Sequence, residues 1–127
     1  MKSKTNKKLP RNWKDLLRIE ETKYKNHDVE YNLYFTKKIV GYKEQIGYLT
    51  ISRKGKLNIV RVASIELNMR GKGCGKMLYE HAIKQLGSLT TDYHKASNMA
   101  QLLWKRLVQL YRHKMDFFTG QLTVFKK

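Results

Sequence analysis

One cysteine, few acidic residues and no long apolar run set the outer limits on this chain. Cys74 is the sole cysteine among 127 residues, so no internal disulfide can form. The histidines at 27, 81, 94 and 113 stand at no metal-ligand spacing, and no metal site is expected. No apolar stretch approaches the ~18 residues that a membrane-spanning helix needs, and the lysine-rich amino terminus has no apolar segment behind it. A soluble, cytoplasmic protein is the sequence-based expectation. Internal repeats and linkers are also missing, which leaves a basic arm at residues 1–11 and one domain at 12–127, large enough for a single core.

Acidic residues number 10 against 27 Lys and Arg, a net charge of +17. One small ligand with a few phosphates does not balance that excess, so an acidic partner is implied. Nucleic acid fits best. The arm, Lys37-Lys38, the Arg53-Lys54-Lys56 turn and Lys126-Lys127 are candidate phosphate contacts, with Tyr24, Tyr31, Tyr34, Tyr42 and Tyr48 as candidate stacking faces. The same tyrosines also read as ordinary strand residues.

Along the chain, Asn12 and Asp15 open a short predicted helix in which Trp13, Leu16 and Leu17 face inward, ending near Thr22. Val29, Tyr31, Leu33 and Phe35 alternate with polar residues as a strand does. Glu44 to Ser52 and Leu57 to Leu67 read as two more strands. Leu78, Ala82, Ile83 and Leu86 recur at helical spacing up to Gly87, a predicted C-cap. Ser88 to Asp92 reads as a strand, and Ser97 opens a helix bearing Ala100, Leu103, Trp104, Leu107 and Tyr111 on one face. Met115 to Phe118 and Leu122 to Phe125 flank Thr119-Gly120-Gln121 as a closing hairpin. The predicted fold class is α+β, a mixed, mostly antiparallel twisted sheet with helices on both faces.

The most informative segment is Arg70-Gly71-Lys72-Gly73-Cys74-Gly75-Lys76, between an apolar run and a helix. Three glycines let backbone N–H groups turn inward, and the helix end adds its unpaired N–H groups and positive dipole. That is an anion cradle, with Arg70 and Lys76 supplying charge at its ends. A nucleotide-hydrolase phosphate loop is excluded, because Met77 stands where its magnesium-holding hydroxyl belongs. The dinucleotide fingerprint is excluded too, since the glycines are spaced GxGxG and not GxGxxG.

Arg70-x-x-Gly73-x-Gly75 at a strand-to-helix junction resembles the acetyl-CoA pyrophosphate loop of the GCN5-related N-acetyltransferase family. The resemblance covers roughly residues 44–111. Ser97, Ala100, Leu103 and Trp104 fall in register with that family's Asn-x-x-Ala-x-x-Leu-Tyr helix, and small basic, phage-type members often carry Ser and Trp there. It implies acetyl-CoA as co-substrate, a pyrophosphate held at residues 70–76, a pantetheine arm lined by Ile65, Leu67, Ser97 and Trp104, and a host-cytoplasmic setting if phage-encoded. The front of the chain departs from the family, since about 28 residues stand where a strand and two helices are usual.

For the chemistry, the resemblance points to a carboxylate base near the site: Asp92 or Glu66, with Ser97 bonding the pantetheine or its sulfur. Asp92 reads equally as a capping carboxylate and Glu66 as an ion-paired strand end. The family's thiolate-protonating tyrosine is replaced by Trp104, whose indole keeps its proton, with Tyr111 two turns further on. Trp104 reads either as core or as a flat face for the coenzyme arm. Cys74 is expected to contribute backbone only. The function implied is transfer of an acetyl group to a primary amine by direct attack, on a substrate that is nucleic acid or bound to it. Rival readings are a nucleic-acid-binding module that kept the fold without catalysis and a base-modifying enzyme of related fold.

Overall fold

The computed structural model describes residues 9–127, so most of the basic arm lies outside the described residues; Leu9 itself packs against the core. Nine regular elements follow in order: β1 (Leu17–Lys23), β2 (Val29–Phe35), β3 (Gln45–Lys54), β4 (Leu57–Ile65), α1 (Cys74–Leu86), β5 (Ser88–Asp92), α2 (Asn98–Leu110), β6 (Arg112–Asp116) and β7 (Gln121–Phe125). Single 3-10 turns stand at Trp13–Leu16, Leu67–Met69 and Tyr93–Lys95. The strands form one sheet in the order β1-β2-β3-β4-β5-β7-β6. Every neighbouring pair is antiparallel except β4 with β5, which are parallel and joined through α1. The mixed, mostly antiparallel α+β sheet expected from the sequence is thus the one formed.

Alternation in β2 sets the inner face. Val29, Tyr31, Leu33 and Phe35 are buried, and across the ladder Tyr31 meets Leu49 and Leu33 meets Gly47. Leu78, Ala82 and Ile83 of α1 cover them, and Trp104 and Leu107 of α2 extend the same layer over Leu122 and Val124 of β7. Burying Leu78 and Ile83 fully stabilises α1 by about 1.5–3 kcal/mol each. That exceeds the roughly 1 kcal/mol that Gly75 costs in the first turn. At the other end Gly87, with φ 89°, closes the helix by donating its N–H to the Ile83 carbonyl at 2.8 Å.

The rings of Tyr79 (α1) and Trp104 (α2) meet edge to face at 5.5 Å, so the two helices lie side by side. Both therefore sit on one face of the sheet, not on opposite faces as the sequence suggested. The reason is at the front: β1 and β2 are joined by residues 24–28 alone, too few to carry a helix across the other side. That other face carries Asn32, Thr50, Ser52, Thr90 and Thr123, of which Asn32, Ser52 and Thr90 are buried, with the Thr90 and Thr123 hydroxyls 2.8 Å apart.

Two further expectations change. The helix expected over residues 12–22 is a 3-10 turn followed by β1, which pairs with β2 along its whole length. Leu17 and Ile19 alternate toward the core, and pairing with an open strand edge outweighs weak local helix spacing. The last hairpin also begins earlier, with β6 starting at Arg112 and Phe117 and Phe118 in the turn.

His81 of α1 packs its ring edge-on against Tyr31 at 5.1 Å, and burial lowers its pKa below the ordinary 6.5. Below pH 6.5 the unfolded chain binds a proton that the folded chain refuses, so stability is expected to fall as pH drops from about 6.5 toward the lowered value. Chemical denaturation at stepped pH checks this, and His81→Phe is expected to flatten that part of the profile.

Candidate functional site

The centre of the sheet is split. β4 pairs with β3 from Leu57 to Ile65, but with β5 only at Ile59 and Thr90. Arg61 is an extra residue in the β3–β4 ladder, because Thr50 faces Val62 while Ile51 faces Val60. Such a bulge bends its strand and here turns β4 away from β5. Beyond Ile59 no strand among the described residues pairs with the β5-side edge of β4, and Arg61, Val62 and Ala63 are exposed. The result is a wedge open toward the carboxyl ends of both strands, where an extended ligand can add its own polar groups to a free strand edge.

Gly47 holds the opposite wall of β4 in place. A Cβ there would lie 2.4 Å from the Ser64 carbonyl oxygen and 2.6 Å from Ile65 Cδ1, so only glycine allows β3 this close.

Next to the wedge stands the start of α1. Gly71 and Gly73 have φ of 77° and 88°, and a Cβ on either would meet nothing within 4 Å. Among the described residues no protein group accepts a hydrogen bond from the N–H groups of Gly71, Lys72, Gly73, Cys74, Gly75 or Lys76. The N-cap is a glycine with no capping side chain, and the first turn holds no acidic residue. Six unbonded donors, a positive helix end and open space in front of them are the chemistry that an anion requires. Arg70 ties the loop to the wedge by donating its Nε–H to the Ile65 carbonyl at 2.9 Å. Lys72 is exposed, and Lys76 lies 3.5 Å from Glu80.

Gly75 differs from its neighbours. Its Cβ position lies 3.8 Å from Leu103 Cδ2 and 4.0 Å from Ile65 Cγ1, ordinary contact distances, and it sits inside the helix. Gly75→Ala is therefore expected to stabilise the fold by about 0.5–1 kcal/mol, as measured by urea unfolding.

The remaining candidates divide into those at the wedge and those away from it. Glu66 directly follows β4 and Asp92 ends β5, so the parallel strands deliver both carboxylates to the same end. Glu66 is 3.4 Å from Lys43, and Asp92 is 3.8 Å from Lys95. Ile65 is half-buried against the core, whereas Leu67 is 77% exposed at the wedge mouth. Ser97 caps α2, its Oγ accepting the Ala100 N–H at 3.1 Å. Trp104 is fully buried against Tyr79, with no hydrogen-bond partner for its Nε1–H.

Neither Tyr79 nor Tyr111 is placed to act as an acid at the wedge. Burial pushes the Tyr79 hydroxyl up to about 12, only partly offset by the Trp104 indole N–H, which falls outside hydrogen-bond geometry. Tyr111 stands at the far end of α2 and donates its hydroxyl to Glu80 at 2.9 Å. The Cys74 side chain is buried in the core, and burial raises its pKa against the opposing pull of Lys72 and Lys14. Its thiol is not activated.

Three features escaped the sequence. Gly47 looks like any strand glycine until the bulged partner is placed beside it. Gly120, recognised as a turn residue, packs against the site: a Cβ there would come 2.7 Å from His94 Cδ2 and 3.4 Å from Asp92 Oδ1. The exposed aromatics were also only partly foreseen, since Tyr24 is exposed but Tyr31 is fully buried and offers no stacking face, while Phe117 and Phe118 are 85% and 103% exposed.

No protein-family model matches the sequence, and no curated protein matches it. Solved structures do. A Bacillus subtilis acetyltransferase in complex with CoA superposes with a TM-score of 0.58 at 14% identity, over 87% of this chain and 99% of that one. An IAA acetyltransferase from Bacillus cereus gives 0.56 at 14% identity with the same coverage. The ribosomal-protein-S18-alanine N-acetyltransferase of Escherichia coli gives 0.52 at 11% identity, over 80% of this chain and 68% of that one. The chain therefore has the fold of the GCN5-related N-acetyltransferases.

Proposed function

We propose that this protein is an acyl-CoA-dependent N-acetyltransferase that acetylates a primary amine on a nucleic acid or on a molecule bound to one. The observation that carries this reading is the set of unbonded N–H groups at residues 71–76 beside the free edge of β4. A diphosphate satisfies the first, and an extended pantetheine arm the second. The residues fit acetyl-CoA on these grounds, and a similar fold holds CoA.

Acetyl-CoA supplies an activated acetyl group whose C–S bond breaks as the amine's C–N bond forms. The chain's residues do the rest. Amides 71–76 and Lys72 bind the diphosphate, and Arg70 fixes that loop relative to β4. Asp92 or Glu66, at the mouth of the wedge, takes the amine proton directly or through water. With Trp104 buried and Tyr111 engaged by Glu80, the departing thiolate takes its proton from solvent.

The buried Trp104 favours one second reading, a nucleic-acid-binding module without catalysis. Labelled acetyl-CoA separates the two. The protein is incubated with lysate treated with nuclease or with protease; label removed by nuclease is the expected result, and no transferred label in any arm favours the module. For the base, Asp92→Asn or Glu66→Gln is expected to lower the single-turnover rate by about 100- to 10,000-fold. If neither variant changes the rate, the assignment of these two carboxylates fails.

A further inference from the structure

Among the cations that form no ion pair, one group follows the β6 edge of the sheet. Five ion pairs are formed among the described residues, and none uses Lys105, Arg106, Arg112, Lys114 or Lys126. These residues lie on α2, on the edge strand β6 and beyond β7. Arg112, His113 and Lys114 are consecutive and exposed along β6, and Lys105 and His113 line one hollow under α2. A second hollow of about 640 Å³ runs beside Tyr111, Arg112 and Phe125.

At the end of β6 the same edge presents two rings. Phe117 and Phe118 are exposed at the hairpin tip, and the turn beneath them is fixed. Asp116 Oδ1 accepts the N–H groups of Phe118 at 2.9 Å and Thr119 at 3.3 Å, while the Asp116 carbonyl accepts the Gly120 N–H at 2.8 Å. The one acidic side chain of the hairpin is thus consumed by the turn. Gly120 then packs against His94 and Asp92, which places the tip at the mouth of the wedge.

We propose that the β6–β7 hairpin is a docking surface for single-stranded nucleic acid, with phosphates along Arg112 and Lys114 and bases stacked on Phe117 and Phe118. This goes beyond the acceptor class named above and rests on that reading only for its link to acetyl transfer. A row of cations with flat apolar rings at its end matches a chain of phosphates carrying bases, and both features are needed: cations bind the backbone, rings require unpaired bases. A second copy is a poor occupant. Antiparallel pairing of β6 with itself over its full length sets Lys114 against Lys114, and lysine on an edge strand opposes such pairing. This surface also differs from the one expected from sequence, where the tyrosines were the stacking faces.

Fluorescence anisotropy with a labelled 12-nucleotide single strand, its duplex and polyglutamate tests the assignment in the full chain. Single-strand affinity is expected to fall with rising salt. Phe117→Ala/Phe118→Ala is expected to weaken it about 10- to 100-fold while leaving duplex binding unchanged. Arg112→Glu/Lys114→Glu is expected to weaken both nucleic acids. Equal binding of single strand and duplex that ignores the phenylalanines, tighter binding of polyglutamate, or binding lost only on charge reversal at Lys4, Lys7 and Lys8 overturns the proposal. CoA titration of the same variants separates the two readings. Unchanged CoA binding with lost strand binding assigns the hairpin; strand binding by a wild-type protein that binds no CoA leaves the hairpin standing and removes the transferase.

Discussion

Gly73→Glu is expected to lower CoA affinity by at least about 100-fold, roughly 2.7 kcal/mol. Gly73 precedes α1 with φ 88°, and its Cβ direction leads into open space in front of six unbonded N–H groups. A carboxylate placed there answers those donors itself and repels the diphosphate. The variant also bears the strain of a left-handed side chain, about 1–2 kcal/mol, which a domain of ordinary stability survives. Gly55→Glu is the matched control. Gly55 has φ 59° and equally open surroundings in the β3–β4 turn, so it carries the same kind of strain and the same charge away from the loop. CoA titration is expected to separate the two variants, and equal losses in both would falsify a local role for the loop.

The second large effect concerns stability. Gly47→Ala is expected to destabilise the fold by about 1–3 kcal/mol or more, because the added methyl meets a backbone carbonyl, which cannot swing aside as a side-chain tip can. The Ser64 oxygen would lie 2.4 Å away, so β3 and β4 must separate at the very point where β4 forms the wall of the wedge. Urea unfolding is expected to show a lower midpoint at unchanged slope. Gly75→Ala, in the first turn of α1, is expected to shift the midpoint the other way. Together the pair distinguishes a glycine required by packing from one merely tolerated.

The sequence made the middle of the molecule legible, because its signals there are local. The spacing of Leu78, Ala82 and Ile83, the left-handed Gly87 and the Ser97 cap each act within one turn of helix, and α1, β5 and α2 follow them. The glycine loop was readable for the same reason. The front was not. Leu17 to Lys23 becomes a strand only because β2 offers it an edge, a partner remote from any window of local spacing. Whether a helix covers the other face of the sheet depended on the length of the β1–β2 connection, and hence on where β1 begins and ends.

Within the site, the same division holds. Glu66 and Asp92 could be placed at strand ends from pattern alone, but their arrival at one mouth needed the parallel register of Ile59 with Thr90. Trp104 read equally as core or as coenzyme contact, and its burial against Tyr79 puts it in the core. Phe117 and Phe118 look like strand residues in sequence. Asp116 takes the N–H groups of Phe118 and Thr119 into a turn, and the rings are exposed to solvent instead.

Amide chemical shifts of the wild-type protein, followed by nitrogen-resolved NMR as CoA is added, report most directly on whether those backbone donors receive a diphosphate. The largest changes are expected at Gly71 to Lys76, with a second set along Val60 to Ile65, and smaller ones when pantetheine without phosphates is used. Saturating CoA that leaves the signals of residues 71–76 in place, or moves only those of a distant surface, contradicts the account.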